Sequence, residues 1–312
     1  MSVRGLNKRP YHTEGFLMGG LGVLSFSITL PVTRIAVPLL GGTFVGLGRA
    51  VVAGILALLV LLIRREPLPA RRHWFGLLVV AIGVVIGFPL FSALALQSLP
   101  ASHGAVVVGL LPAATAVMAV LRAGERPSRG FWFSCIGGVL AVIIFAIIQG
   151  AGHPQPADLL LLLAVIFGAL GYAEGGRLAR ELGGWRVICW ALVLIGPFLV
   201  LPVIFSFHPD GNVAQPLPWL GFAYVSVISM FLGFFAWYHG LAVGGVARIG
   251  QIQLLQPVLT LIWAALFLKE QVTFLMILAS LLVIASAAAS QWTRRPTVPT
   301  VIPVEERVPS RL

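Results

Sequence analysis

GAVVVGLLPAATAVMAVLRAGE, residues 104–125, and GVARIGQIQLLQPVLTLIWAALFLKE, residues 245–270, are two versions of one pattern. Each is an apolar run with a proline at its middle, Pro112 and Pro257, and a glutamate at its end, Glu125 and Glu270. The two prolines are 145 positions apart, as are the two glutamates, and Thr115 and Thr260 share the offset. A proline inside a helix removes one backbone hydrogen bond and pushes away the carbonyl four residues earlier, here Val108 and Gln253. In a bilayer that defect is tolerated only beside protein or a polar cavity. Paired broken segments in corresponding halves of a membrane chain point to a substrate path, with Pro112 and Pro257 as hinge or broken-helix positions.

The composition agrees. Only 10% of the 312 residues are charged, against about 25% in a soluble domain, and apolar runs near 20 residues recur, long enough to cross about 30 Å of hydrocarbon. Ten-residue alternating stretches, the mark of a membrane β-barrel, are not seen. The first apolar run is too long for a signal-peptide core and is expected to remain as a span. Cys135 and Cys189 both fall in apolar runs and read as free buried thiols.

The hydropathy pattern predicts ten spans near 15–36, 41–63, 73–97, 104–122, 130–150, 157–178, 185–206, 217–241, 246–268 and 271–292. Residues 1–14 form an N-tail, 15–150 a first five-helix repeat, 157–292 a second, and 293–312 a Pro-rich C-tail of disordered composition. Of the 21 Lys and Arg residues, 18 fall in the tails and in alternate linkers, so that side is cytoplasmic and holds both termini. The opposite side keeps Arg34 and Lys269, and Arg49 lies within the second span. The net charge of +11 is thus an orientation signal with affinity for anionic lipid, and no nucleic-acid partner is expected. Five spans is an odd number, so the second repeat enters from the other face. The expected fold is all-α, with ten transmembrane helices in two inverted five-helix repeats.

Candidate site residues follow from polarity in the wrong place. Gln253, Gln256, Thr260 and Trp263 share one face of the ninth span. Glutamine is expensive in hydrocarbon, so this stripe must meet protein or water. Gln256, beside Pro257, is placed to bond a substrate amine or carboxylate; interhelical bonding, about 0.6 kcal/mol on average, is the competing reading. Tyr224, Phe231 and Tyr238 form an aromatic stripe on the eighth span, as cavity wall or, for Tyr238 with Trp237, as interfacial belt. Pro89 is expected to bend the third span and turn Phe91 into the cavity, or else to make a packing kink with Phe91 on lipid.

Charged groups divide similarly. Glu125 and Glu270 read as caps of the helices that follow them. Glu174 is the one carboxylate placed within a span, a gating or coupling candidate, although Arg177 at i+3 offers a local ion pair. Arg49 is a second such candidate, able to pair with a carboxylate or line a gate; snorkelling to the outer interface explains it equally well. His103 reads as a surface histidine. The six histidines, at 12, 73, 103, 153, 208 and 239, have no metal-ligand spacing, so no metal, cofactor or enzymatic centre is expected. GGLG (19–22), GLG (46–48) and ASAAAS (285–290) suit close helix approach.

With these motifs the chain resembles the EamA-like branch of the drug/metabolite transporter superfamily over residues 15–292. The carriers are the small-residue approach, central proline and closing glutamate of ASHGAVVVGLLPAATAVMAVLRAGE and GGVARIGQIQLLQPVLTLIWAALFLKE. The second copy has Lys269 where the pattern has Gly, and the first span has Ser25-Phe26 in place of Trp-Gly. The resemblance implies a secondary transporter in the bacterial cytoplasmic (inner) membrane, monomer or homodimer, exporting small neutral or zwitterionic metabolites, above all amino acids. Export of cationic drugs or nucleotide-linked metabolites is the alternative.

Overall fold

The computed structural model describes residues 9–123, 128–149, 155–208, 211, 213–244, 249–250 and 252–293. Among the described residues every regular element is helical. Among the described residues eight helices are long and apolar enough to cross a membrane: α1 Thr13–Leu40, α2 Gly42–Ile63, α3 Arg71–Ala95, α4 Ala101–Leu121, α5 Arg129–Gln149, α6 Pro156–Leu182, α7 Gly184–Ser206 and α8 Pro216–Gly244. Two shorter apolar helices follow, α9 Gln253–Leu268 and α10 Phe274–Ser290. Helix is the form that satisfies every backbone polar group within its own segment, as hydrocarbon demands.

Side chains sort as a bilayer sorts them. In α2, Ala50, Ala53, Gly54 and Ala57 face inward, while Ile55, Leu58, Leu59 and Leu62 are exposed. Lipid gives no driving force to bury large aliphatics, whereas small residues let backbones close up. Gly83 of α3 faces Gly171 of α6 so closely that a Cβ on Gly83 would lie 2.7 Å from the Gly171 nitrogen. Gly240 of α8 meets Gly19 of α1 in the same way, at 2.7 Å from its nitrogen.

The helices depart from the sequence reading at several ends and at one proline. Helix α1 continues to Leu40 through Pro31 and Pro38, because neighbouring helices shelter the freed carbonyls. Helix α6 runs on to Leu182. Pro89 makes no simple kink: a π-helical stretch, Ala81–Gly87, precedes it, and regular α-helix resumes at Phe88. The wider turn relieves the clash that the proline ring would make with a regular α-turn.

The irregularities come in pairs. A second π-helical stretch occupies Tyr224–Gly233 of α8, and it contains the positions 145 residues beyond Ala81–Gly87. Helix α4 breaks in a turn at Gly109–Leu110, and α9 begins as a 3-10 turn, Gln253–Leu255. These breaks also share the 145-residue offset, each just before its proline. They touch: a Cβ on Gly109 would lie 3.2 Å from Pro257 Cγ.

Packing repeats the pairing. With α1–α5 matched to α6–α10, α2 packs on its counterpart α7, and α5 on α10. The α1–α8 contact is mirrored by α6–α3, and α1–α9 by α6–α4. Exchange of the two halves therefore maps the main interfaces onto themselves.

Polar links tie the ends. Arg34 Nη1 donates to the Leu96 and Gln97 carbonyls at 2.5 and 2.8 Å, closing the C-terminus of α3. Arg186 grips Glu66 with two bonds, of 2.9 and 2.8 Å, and this holds the Glu66 carboxyl below the usual carboxylate range. Glu125 and both tails beyond 9 and 293 lie outside the described residues.

Candidate central cavity

Six helices converge on a small cavity in the middle of the bundle. Phe26, Thr29 and Leu30 come from α1, Arg49 from α2, and Val84, Phe88 and Pro89 from α3. Tyr172 comes from α6, Ser229, Met230 and Phe234 from α8, and Gln256 from α9. Both π-helical stretches contribute, through Val84 and through Ser229 and Met230. Val84 and Ser229 are repeat counterparts, and so are Pro89 and Phe234. Unwinding a helix turns side chains that a regular helix would stack elsewhere, which is why π-bulges gather at functional positions.

The lining carries two kinds of chemistry. Phe26, Tyr172 and Phe234 form an aromatic wall, with ring centroids 5.0 Å apart for Phe26–Phe234 and 6.1 Å for Phe26–Tyr172. Polar groups line it too: the Thr29 and Ser229 hydroxyls lie 2.8 Å apart, and Gln256 and Arg49 belong to the same lining. Arg49 is only 1% exposed, so it does not snorkel; α2 carries it into the protein rather than toward an interface. The volume is about 20 Å³, room for a water molecule or so. Ligand pockets run from about 300 Å³ upward, so the cavity as it stands is too small for a metabolite.

Of the residues singled out by sequence as binding, gating or coupling candidates, Gln256 and Arg49 reach this cavity, and so does the expected bend at Pro89. Thr260 Oγ1 donates to the Ser27 carbonyl at 2.9 Å, and Trp263 Nε1 donates to Ser27 Oγ at 3.0 Å. Both side chains therefore clasp α9 to α1. Gln253 is buried and lies outside the lining. Tyr238 is fully buried and donates to the Gly171 carbonyl at 3.1 Å, while Tyr224 donates to the Ser25 carbonyl at 3.1 Å. Phe91 packs on Phe167, ring centroids 5.4 Å apart, and Phe88 takes the place it was expected to hold. Pro112 and Pro257 sit at the helix breaks and are not part of the lining. Glu174 is buried and receives two hydrogen bonds from Arg177, the shorter 2.7 Å.

Two groups depart from expectation. His103 is buried, not superficial, and its Nε2 lies 2.6 Å from Asp158 Oδ1, joining α4 to α6. Glu270 is a cap, but of another helix: it accepts from the Ala101 and Ser102 N–H groups at 2.9 and 2.8 Å, closing the N-terminus of α4. Sequence reasoning missed Phe26, Thr29, Tyr172 and Ser229, single hydroxyl or aromatic side chains in apolar runs that carry no local signal. Among the described residues no cluster of His, Cys, Asp and Glu is suited to a metal.

A multi-pass helical bundle of two like halves, closing between them a mainly apolar cavity with a few polar groups, is built as a membrane transporter. The chain belongs to the EamA-like transporter family, whose sequence profile matches it twice, over residues 13–147 and 155–290. It is 49% identical over 280 residues to an uncharacterized transporter, YdeK, of Bacillus subtilis (strain 168), covering 89% of this chain and 97% of that one. A second uncharacterized transporter of that organism, YvbV, is 24% identical over 272 residues, 85% of this chain and 87% of its own. In fold, one crystal structure is similar with a TM-score of 0.62 at 18% identity, covering 91% of this chain and 98% of that chain.

Proposed function

We propose that the protein exports small neutral or zwitterionic metabolites, amino acids first among them, across the bacterial cytoplasmic membrane by alternating access. The observation that carries this reading is the central cavity, lined from both halves and flanked by both π-helical stretches. In this reading α9 and α10 cross the bilayer with the eight longer helices. The ten spans then form two inverted repeats, 15–150 and 157–292, with both termini cytoplasmic. Support comes from the 145-residue offset, from interfaces that map onto themselves, and from basic residues gathered in alternate linkers.

A cavity with space for little more than a water is an occluded intermediate, and cargo enters when one half rocks against the other. The Gly19–Gly240 and Gly83–Gly171 seams suit such sliding, since backbone meets backbone there at close range. Gln256, with a donor and an acceptor on one amide, suits either end of a zwitterion. The buried cation Arg49 disfavours cationic drugs, and a nucleotide's several charges would need more than one such group. One chain holds the whole cavity, which serves a monomer or a homodimer alike.

Purified protein in liposomes, assayed for flux over a panel of amino acids, tests the reading. Flux of at least one amino acid, reduced several-fold by Gln256→Ala, is the expected result. If none of the panel moves, the amino-acid assignment fails.

A further inference from the structure

Arg49 is buried and lacks the partner that a buried cation requires. Its Nε donates to the Gly46 carbonyl at a long 3.4 Å, and its Nη2 is sequestered with no hydrogen bond. Among the described residues no carboxylate lies within 4.0 Å of it. The described acids are all engaged elsewhere. Glu14 is with His239, Glu66 with Arg186, Asp158 with His103, Glu174 and Glu181 with Arg177, and Glu270 with the α4 N-terminus. Removing an ion from water costs several kcal/mol unless an opposite charge or good hydrogen bonds restore it. Around Arg49 the cavity offers only neutral groups, Thr29, Ser229 and Gln256, and the two hydroxyls are already paired with each other.

We infer that the missing partner is the cargo, and that Arg49 receives a carboxylate of the transported molecule. The inference rests on the transport reading above and names the chemical group that the same cavity selects. A guanidinium fork matches a carboxylate with two parallel N–H···O bonds. A single cation balances a single negative charge, so a phosphate dianion would remain uncompensated. The aromatic cluster of Phe26, Tyr172 and Phe234 in the same lining takes the remainder of the molecule: an apolar side chain, or an ammonium against a ring face.

The test compares leucine, 4-methylpentanoate and leucinamide on the purified full-length protein, by ligand-induced thermal shift and by flux in liposomes. Charge-assisted hydrogen bonds contribute about 1.5–3 kcal/mol, so both carboxylates are expected to bind roughly 10- to 100-fold more tightly than leucinamide. Arg49→Gln should abolish that preference, and Arg49→Lys should keep part of it. The comparison within the unaltered protein stands even if a variant misfolds. Equal binding of leucinamide and leucine overturns the assignment, as does a preference that survives Arg49→Gln. If no compound is transported, the transport of amino acids fails separately. The binding arm then decides alone: a 4-methylpentanoate shift lost in Arg49→Gln upholds Arg49, and no shift in the unaltered protein overturns it.

Discussion

Glu270 ties the loop after α9 to the first turn of α4, across the boundary between the two halves. The first N–H groups of a helix have no partner within it, and at Ala101 and Ser102 both are closed by one carboxylate. The α4 N-terminus is buried, so water cannot replace that cap cheaply. Glu270→Ala should therefore cost about 1–2 kcal/mol, read as a lower melting temperature in detergent. Glu270→Gln keeps one acceptor and should fall between; an unchanged melting temperature for Glu270→Ala would show the cap to be idle. The sequence revealed that this glutamate caps a helix, and local logic assigned it to the next one. Its true partner is 169 residues away, a distance no local pattern encodes. Arg49 was legible as an anomaly for the opposite reason: an arginine in a spanning run stands out whatever surrounds it. Whether it snorkels or turns inward depends on the helices packed around it, and those are not written in its neighbours.

Helices carry a different kind of information. The proline-centred breaks of α4 and α9 were readable because proline lacks an N–H wherever it stands. The π-helical stretches were not, since AIGVVIG and YVSVISMFLG are apolar runs with no mark of a wider turn. The first of them turns α3, and Phe88 rather than Phe91 meets the cavity. The seam beside the first stretch gives a test with a sign. Replacing a helical glycine by alanine ordinarily stabilises by about 0.5–1 kcal/mol. At Gly137, exposed with nothing within 4 Å of a new Cβ, Gly137→Ala should follow that rule. At Gly83 the new Cβ would meet backbone, the Phe167 carbonyl as well as the Gly171 nitrogen, at 2.7 Å. Backbone cannot swing aside, so Gly83→Ala should reverse the sign and destabilise by about 1–3 kcal/mol. Paired melting curves decide it, and a stabilised Gly83→Ala would mean that α3 and α6 are not pressed together there.

For the whole molecule the open question is direction, because two like halves pack with the same set of interfaces however the membrane lies. Charge is the one asymmetry that speaks to it. Leu68 stands in the α2–α3 linker among Arg64, Arg65, Arg71 and Arg72, whereas Val213, its counterpart 145 positions later, stands in a linker without Lys or Arg. Basic linkers stay on the cytoplasmic side, so equivalent points of the two repeats should open to opposite faces. Both positions are exposed, at 73% and 46%, and suited to labelling after Cys135 and Cys189 are replaced by alanine. In sealed inside-out vesicles a membrane-impermeant maleimide should reach Leu68→Cys and spare Val213→Cys, and in right-side-out vesicles the reverse. Labelling of both from the same side would make the repeats parallel and leave the cavity without the inverted pair of half-channels that alternating access requires.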